Sequence, residues 1–256
     1  QMQSYSFDGH PASYTTAGGQ VLVNDLMIYD RVEIVRGANG LVQGMGTPAG
    51  TLNFIRRRPS DRFEGQVRAR LGSWGHRSLD LDLSGPLNAA GSLRGRVIAH
   101  GREADSFQDV VTEGRRLFHL IGEADLGPRT MLTLSATVQH NRDNTTYSGL
   151  PTARDGSDLG LPRSTYLGNR WNHWNGRNET AYLLLAHQFS GDLRLNVSSN
   201  LIRARQDRFV TGVQLTGDAL RQIGLAGRSR HDRSSHDVNL SGAVALAGRR
   251  HQWQIG

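Results

Sequence analysis

One stretch of the sequence concentrates side chains that could hold a ligand. Between positions 142 and 178, a segment otherwise made largely of Gly, Asn, Asp and Ser carries several aromatic and cationic residues: Tyr147, Tyr166, Arg170, Trp171, His173 and Trp174. Aromatic rings stack on planar molecules or cover apolar ones, and a guanidinium attracts anions. Tyr147, Arg170, Trp171, His173 and Trp174 are therefore predicted to bind a ligand. The alternative is that the rings anchor the loop or lie at a membrane interface.

Signals for metal binding and catalysis are weak. His231 and His236, with Asp232 and Asp237, could in principle bind a metal, but a separation of five on a strand places the two imidazoles on opposite faces. We expect them to be ordinary polar strand residues. Neither a G-x-S-x-G elbow, nor an H-E-x-x-H helix, nor a pair of acidic motifs occurs, and the chain has no cysteine. The sequence predicts no enzyme, no cofactor and no directly bound metal.

A glycine-rich stretch at 37–50 permits positive φ angles and close backbone approach. Its glycines are Gly37, Gly40, Gly44, Gly46 and Gly50. A phosphate-binding loop is the competing interpretation. It fails because the G-x-G-x-x-G pattern is absent, and Pro48 is followed by a strand-like run instead of a helix.

The charge pattern does not point to a nucleic acid. All 30 cationic side chains in the Lys+Arg count are arginine, and the formal net charge is +7. A basic chain suggests a polyanion. The arginines, however, are scattered at alternate strand positions along the sequence, so we expect no nucleic-acid partner.

Composition and periodicity change near Pro59. Before it, short mixed segments predict a small α+β domain, with strands at 21–23, 31–35 and 51–57 and a helical turn at 25–29. After it, apolar and polar residues alternate with a period of two. The clearest run places Phe63, Gly65, Val67, Ala69 and Leu71 on one face and Glu64, Gln66, Arg68 and Arg70 on the other. Repeats of this pattern predict about nine strands of about 9 to 13 residues, near the length that crosses a tilted bilayer span.

The predicted connections alternate in length. Tight turns are expected at 85–91, 127–129, 191–192 and 248–249, and long polar loops at 103–114, 142–178 and 207–228; the first connection on the long-loop rim, near 73–76, is short. Short turns on one rim and long loops on the other are typical of an outer-membrane β-barrel. Aromatics near strand ends could form interfacial girdles: Phe63, Trp74, Phe118, Phe189 and Trp253. A soluble β-sandwich would also alternate, but it would need a second sheet over the apolar face.

Several motifs resemble those of a known family. The motifs are Tyr29-Asp-Arg-Val-Glu-Ile-Val-Arg-Gly37, Gly40-Leu-Val-Gln-Gly44-Met-Gly46-Thr-Pro-Ala-Gly50-Thr-Leu-Asn53 and Arg56-Arg-Arg-Pro59. They resemble the final plug segment of TonB-dependent siderophore receptors. Asp80-Leu-Asp-Leu-Ser-Gly-Pro-Leu87 looks like the first barrel hairpins, and Gly149-Leu-Pro151 with Arg170-Trp-Asn-His-Trp174 looks like the hydroxamate and ferripyoverdine branch.

The resemblance implies a fold and domain boundaries. The fold class is mostly β: the C-terminal part of a small α+β plug domain at 1–59, then the N-terminal part of a transmembrane antiparallel β-barrel at 60–256. The complete barrel would have 22 strands, with about nine here. A signal peptide and the TonB-contacting segment would precede Gln1. Arg36 matches a latch arginine that pairs with barrel-wall glutamates, which would lie beyond residue 256.

The function expected from the resemblance is TonB-dependent uptake of ferric siderophores across the bacterial outer membrane, without catalysis. Expected partners are a ferric siderophore, TonB, and outer-membrane lipid with lipopolysaccharide. Two alternatives stay open. One keeps the architecture and changes the cargo to haem, cobalamin or a glycan; for haem, His173 would be the candidate axial ligand. The other is a soluble β-rich binding module.

Overall fold

The structure is a computed structural model that describes residues 4–12, 24–36, 50–216 and 219–256. Two sheets account for the described strands, one of four strands and one of nine. No helix in these ranges is long and apolar enough to cross a membrane.

The four-stranded sheet comes from the part of the chain before Pro59. Its strands are β1 Ser4–Phe7, β2 His10–Ala12, β3 Tyr29–Val35 and β4 Thr51–Arg56, in the order β2-β1-β4-β3. β1 runs parallel to β4, and the other pairs are antiparallel. A one-turn 3-10 helix at Leu26–Ile28 precedes β3, and the Asp25 side chain caps it by accepting from Met27 N at 3.0 Å. The predicted helical turn and the strands at 31–35 and 51–57 are therefore confirmed. The strand predicted at 21–23 lies outside the described residues.

The nine-stranded sheet is an antiparallel meander in which each strand pairs with its neighbour in sequence. Its strands are β5 Glu64–Leu71, β6 Arg77–Pro86, β7 Leu93–Asp105, β8 Thr112–Gly127, β9 Thr130–Asp143, β10 His173–Ser190, β11 Leu193–Thr216, β12 Ala219–Leu246 and β13 Arg249–Ile255. β5 and β13 form its edges. The predicted number of strands after Pro59 and the tight turns between them are confirmed.

Two predicted long loops are wrong. Residues 207–228 form the ends of β11 and β12, which stay in register from Arg194 opposite Ser241 to Thr216 opposite Ala219. β7 and β8 likewise extend into 103–114 and leave a loop of 106–111 only. β12 reaches 28 residues, well beyond the predicted strand length. These outer segments mix polar and apolar residues on both faces, so the period of two disappears although the backbone pairing continues.

The large sheet has one apolar face that no second sheet covers. Exposed residues on it include Val67, Leu79, Phe118, Leu134 and Val238, each at least half exposed. The opposite face carries buried polar side chains such as Asp82, His119 and Thr137, and it packs against the small sheet. The core between the sheets stacks Phe7, Tyr29 and Phe54 from the small sheet. Ile98, Leu117 and Ile202 of the large sheet complete this core. The arrangement contradicts the soluble sandwich, which would bury the apolar face.

Candidate functional site

The first functional region is the polar contact layer between the two sheets. Arg56, at the end of β4, is the most deeply buried arginine of this layer, with its side chain 6% exposed. Its Nη1 donates to Asp8 Oδ2 at 2.5 Å, and its guanidinium lies 4.0 Å from the centre of the Tyr182 ring on β10. Because an unpaired buried charge is strongly unfavourable, the pair with Asp8 fixes the turn between β1 and β2 to the end of β4, and the contact with Tyr182 places that end against the large sheet.

The two following arginines continue the contact into the large sheet. Arg57 Nη1 donates to Asp82 Oδ2 at 3.1 Å, and Arg58 Nη1 donates to Glu123 Oε1 at 2.7 Å. Asp82 also accepts two hydrogen bonds of 2.7 Å from Arg96, a fork geometry that fixes both groups. The motif Arg56-Arg-Arg-Pro59 thus connects the two sheets, and each of its three arginines contacts a residue of the large sheet.

A second contact joins the 3-10 helix to the large sheet. Asp25 Oδ2 accepts from Arg115 Nη1 at 2.7 Å, and Asp25 N donates to Gln139 Oε1 at 2.7 Å. Burial raises the pKa of Asp25, but the hydrogen bonds from Arg115 and Met27 N outweigh burial and leave the pKa below its ordinary value. The Asp25 carboxylate is therefore charged, and its contacts hold the start of the 3-10 helix, and with it β3, against β8 and β9.

The predicted latch and glycine motif are only partly within the described residues. Arg36 is exposed and forms no ion pair with a described residue; its expected partners lie beyond residue 256, so its role stays a prediction. Gly37, Gly40, Gly44 and Gly46 lie outside the described ranges. At Gly50 the φ angle is +124°, and an added Cβ would come within 2.8 Å of the Val35 carbonyl oxygen. Close backbone approach therefore requires glycine at this one position.

The second functional region is the rim at which the predicted ligand residues lie. β9 ends at Asp143 and β10 begins at His173, and the loop between them turns back over the rim. The pairing of β10 with β11 ends at His173 opposite Phe209, so β10 does not pair with the part of β11 after Phe209. The loop pairs with this part instead, because Tyr147 N donates to Thr211 O at 3.0 Å. Sequence reasoning identified this loop but placed its boundaries at 142–178.

Asn172 anchors the loop, and sequence reasoning missed it. Its buried carboxamide accepts from Thr211 N at 3.1 Å and donates to Thr211 O at 3.1 Å, as a neighbouring strand would. It also donates to Thr145 O at 3.2 Å. Tyr166 supports the same turn by donating to Asn169 O at 2.8 Å, and burial raises its pKa. The available signal was a carboxamide between Trp171 and His173, because its separate NH2 and C=O groups can pair with a backbone C=O and N–H at the same time.

The structure separates the predicted aromatic cluster onto two faces. Trp174 pairs in register with Arg208, whose guanidinium lies 5.4 Å from the indole, on the polar face that holds the small sheet. Trp171 packs on Phe209 at 4.6 Å between ring centres, on the opposite face. His173 lies on the same face as Trp171, with its Nε2 3.8 Å from Asp207 Oδ1.

Tyr147 and Arg170 are exposed on the loop, whereas Trp174 lies on the face that packs against the small sheet. In the described ranges, no group of three or more His, Cys, Asp or Glu side chains could hold a metal. His231 and His236 lie on opposite faces of β12, as alternation requires. His231 is opposite Ala204, which is buried on the face of the small sheet, and His236 is opposite Ser199, which is on the outer face.

The chain is similar to receptors for one class of siderophore. It is 33% identical over 262 residues to the ferric-pyoverdine M114 receptor of Pseudomonas sp. (strain M114), covering 98% of this chain and 32% of that protein. It is 31% identical to the ferripyoverdine receptor of Pseudomonas aeruginosa, covering 100% of this chain and 32% of that one. The crystal structure of the outer-membrane ferripyoverdine receptor bound to ferripyoverdine superposes with a TM-score of 0.87 at 30% identity, over 98% of this chain and 34% of that one. No family model matches. The chain thus spans about a third of the length of the relatives it matches.

Proposed function

Because the chain is a homologue of the ferripyoverdine receptors along nearly its whole length, we propose that it is a section of an outer-membrane receptor that takes up a ferric siderophore of the pyoverdine class. Its relatives are receptors and not enzymes. The observation that carries the proposal is the two-sided sheet, with a polar face filled by the small sheet and an uncovered apolar face. A strand wall with these faces suits a barrel in a bilayer, and the family's localisation agrees.

In this proposal residues 1–59 belong to the plug and residues 60–256 to the barrel wall. The contacts of Arg56, Arg57 and Arg58 would hold the plug in its resting position, and Arg36 would add a latch to glutamates outside this chain. Energy from TonB would then shift the plug and open the path. Outer-membrane lipid and lipopolysaccharide would surround the wall.

The ligand would contact the long-loop rim from the luminal side. Trp174 and Arg208 offer an aromatic ring beside a cation on the face that leads to the small sheet, the combination that suits a planar anionic chelate. Tyr147 and Arg170, exposed on the loop, would form the outer edge of the same site, whereas Trp171 and His173 lie on the opposite face and would not contact this ligand. Haem is less well supported, because His173 lies on the opposite face from Trp174 and beside Asp207.

Equilibrium binding of radio-iron-loaded pyoverdine to the purified protein tests the proposal. The variant Trp174→Ala should weaken binding by about tenfold, the loss of about 1.4 kcal/mol expected for a central aromatic contact. The matched control is Trp171→Ala, an indole three positions away on the other face, which should change binding less than twofold. Ferric hydroxamates and catecholates serve as competitors. Unchanged binding in a Trp174→Ala/Arg208→Ala double variant would reject this site.

A further inference from the structure

The outer face of the large sheet carries a row of arginines that sequence order does not reveal. Following the pairing register across five neighbouring strands from β8 to β12, Arg116 lies opposite His140, His140 opposite Arg177, Arg177 opposite Arg205, and Arg205 opposite Arg230. All five side chains are exposed on the face opposite to the small sheet. Like charges placed directly opposite one another on a sheet are destabilising. An external anion bound to such a row would remove this repulsion.

The adjacent rows supply too few carboxylates to neutralise this one. Together the arginine row and the two rows beside it on this face contain eight arginines but four carboxylates, those of Glu103, Glu179, Asp207 and Asp232. The arginines are Arg77, Arg116, Arg142, Arg177, Arg203, Arg205, Arg228 and Arg230. Asp232 already pairs with both Arg203 at 3.0 Å and Arg230 at 2.7 Å. In the described part of the chain, Arg142 and Arg205 have no carboxylate within ion-pair distance.

The surface between these arginines is concave. A depression of about 550 Å³ opens there, lined by outward side chains of β9 to β12 that include Arg142, Arg177, Arg205 and Arg230. Its floor is the backbone at 141, 176, 206 and 229. An anion of the size of a phosphate group could lie in it and contact guanidinium groups from two or more strands, and arginine suits phosphate because its planar fork donates two hydrogen bonds at once.

The height of the row identifies the kind of anion. Immediately towards the short turns, the next row holds Ala99, Phe118 and Val138 on β7 to β9 and the charged Glu179, Arg203 and Asp232 on β10 to β12. The row after it is apolar from β7 to β11, with Val97, Leu120, Ala136, Ala181 and Leu201. The arginine row thus lies directly above the apolar belt on β8 and β9 and one row above it on β10 to β12, on the side of the 144–172 loop. In a barrel the long loops are extracellular. A lipid phosphate whose acyl chains cover the belt would reach these guanidinium groups.

We propose that this arginine row is a binding site for the phosphate groups of lipid A in lipopolysaccharide. The proposal rests on the proposed placement of the chain in an outer-membrane barrel. The acyl chains would lie against the exposed apolar belt, and the phosphates would enter the depression between β9 and β12. Lipid A fits better than a phospholipid because two phosphates can span several members of the row, whereas a single phosphodiester neutralises only one or two.

Native mass spectrometry of the purified receptor in detergent, titrated with lipid A carrying two phosphates, tests this site. Wild type should bind it at least tenfold more tightly than dephosphorylated lipid A with the same acyl chains, and more tightly than phosphatidylglycerol. The variant R177Q/R205Q/R230Q should lose at least tenfold in affinity for lipid A. The variant R177K/R205K/R230K should fall between the two, because lysine keeps the charge and loses the fork.

The matched control is R194Q/R249Q/R250Q, which removes the same charge from exposed arginines at the short-turn rim and should bind lipid A within twofold of wild type. Equal binding of lipid A by R177Q/R205Q/R230Q and wild type would overturn the site, and so would equal binding of the dephosphorylated lipid or of phosphatidylglycerol. Ferric-pyoverdine binding should be unchanged in R177Q/R205Q/R230Q. A protein that binds lipid A but no ferric siderophore would refute the proposed cargo and leave the lipid site standing.

Discussion

Arginines occur on both faces of the large sheet, but the two faces differ in how many carboxylates pair with them. Around the contact with the small sheet, eight arginines each have a carboxylate partner: Arg56, Arg57, Arg58, Arg70, Arg94, Arg96, Arg102 and Arg115. On the outer rim, eight arginines share four carboxylates, and Arg177 and Arg205 face each other directly. In the first set every arginine has a carboxylate partner, whereas in the second Arg142 and Arg205 have none among the described residues.

Burial explains why the inner set must be paired. A charge moved out of water loses its hydration, so an arginine between two sheets is tolerated only with a carboxylate or an aromatic ring nearby. At the outer rim water screens the charges, and arginines can stand side by side at a modest cost. An excess of one charge on an accessible surface is therefore informative about a partner, whereas a balanced buried set is informative about how two parts of the chain are held together.

The largest expected effect comes from the inner set. Arg56→Met should weaken the attachment of the small sheet by about 3–5 kcal/mol, because it leaves Asp8 buried without its partner and removes the cation beside Tyr182. Hydrogen exchange should show faster exchange at residues 4–12 and 50–56. If protection there were unchanged, the inner pairs would not hold the small sheet and the contrast between the faces would lose its meaning.

Arg31→Met is the control for this variant. Its side chain is 57% exposed and pairs with Asp30 and Glu33 on the surface of the same sheet. Exposed pairs contribute little. Exchange at residues 4–12 and 50–56 should therefore match that of the wild type.

The next effect concerns the rim loop. Asn172→Ala should release the 144–172 loop from β11 at a cost of about 1–3 kcal/mol, because Thr211 N loses its buried partner and Thr211 O keeps Tyr147 N alone of the two loop donors. Trypsin should then cleave faster after Arg154 and Arg163. The control is Asn175→Ala. Asn175 is an exposed carboxamide near the start of β10, and its removal should leave cleavage unchanged. Equal cleavage of both variants would show that the loop is held by other contacts.

Much of the large sheet could be predicted from sequence, because one wet face and one apolar face impose a period of two. That signal predicted nine strands and the polar side correctly, and it failed at 207–228, where β11 and β12 continue although polar and apolar residues are mixed on both faces. The arginine row was missed for a different reason. Arg177, Arg205 and Arg230 are more than 20 residues apart in sequence, and only the pairing register aligns them.

The candidate site was predictable in part. The loop aromatics were recognised from composition, but the separation of Trp171 from Trp174 depends on where β10 begins, a boundary that composition does not fix. Arg56-Arg-Arg-Pro59 was recognised as part of a motif, yet its partners Asp8, Asp82 and Glu123 come from three distant segments. A motif identifies a residue that forms contacts, and the fold decides with which residue it does so.

Acid should weaken the inner contact between Asp25 and Arg115. Its pKa in the folded chain is below the ordinary value of 3.8, so its contribution is fully present above that value and is lost as the pH falls through the folded pKa. Hydrogen exchange at residues 24–36, corrected for intrinsic rates, should accelerate below a pH of about 3.8. Asp25→Asn should exchange faster at neutral pH and respond less to acid. Asp30→Asn, an exposed carboxylate on the same sheet, is the control; the same acid response in Asp25→Asn and wild type would assign the loss to another group.

The smallest expected effect has the opposite sign and separates the two faces most sharply. Arg205→Gln removes the central member of the outer row, which lies between Arg177 and Arg230 and lacks a carboxylate within ion-pair distance. In detergent free of phosphate-bearing lipid, it should stabilise the wall by a few tenths of a kcal/mol, because two like-charge contacts disappear. A thermal midpoint slightly above that of wild type at low salt, converging at high salt, is the expected result, since salt screens exposed charges. Adding lipid A should reverse the order, as wild type gains the ligand and the variant does not. A lower midpoint for Arg205→Gln without lipid would mean that the outer row, like the inner pairs, is satisfied within the protein.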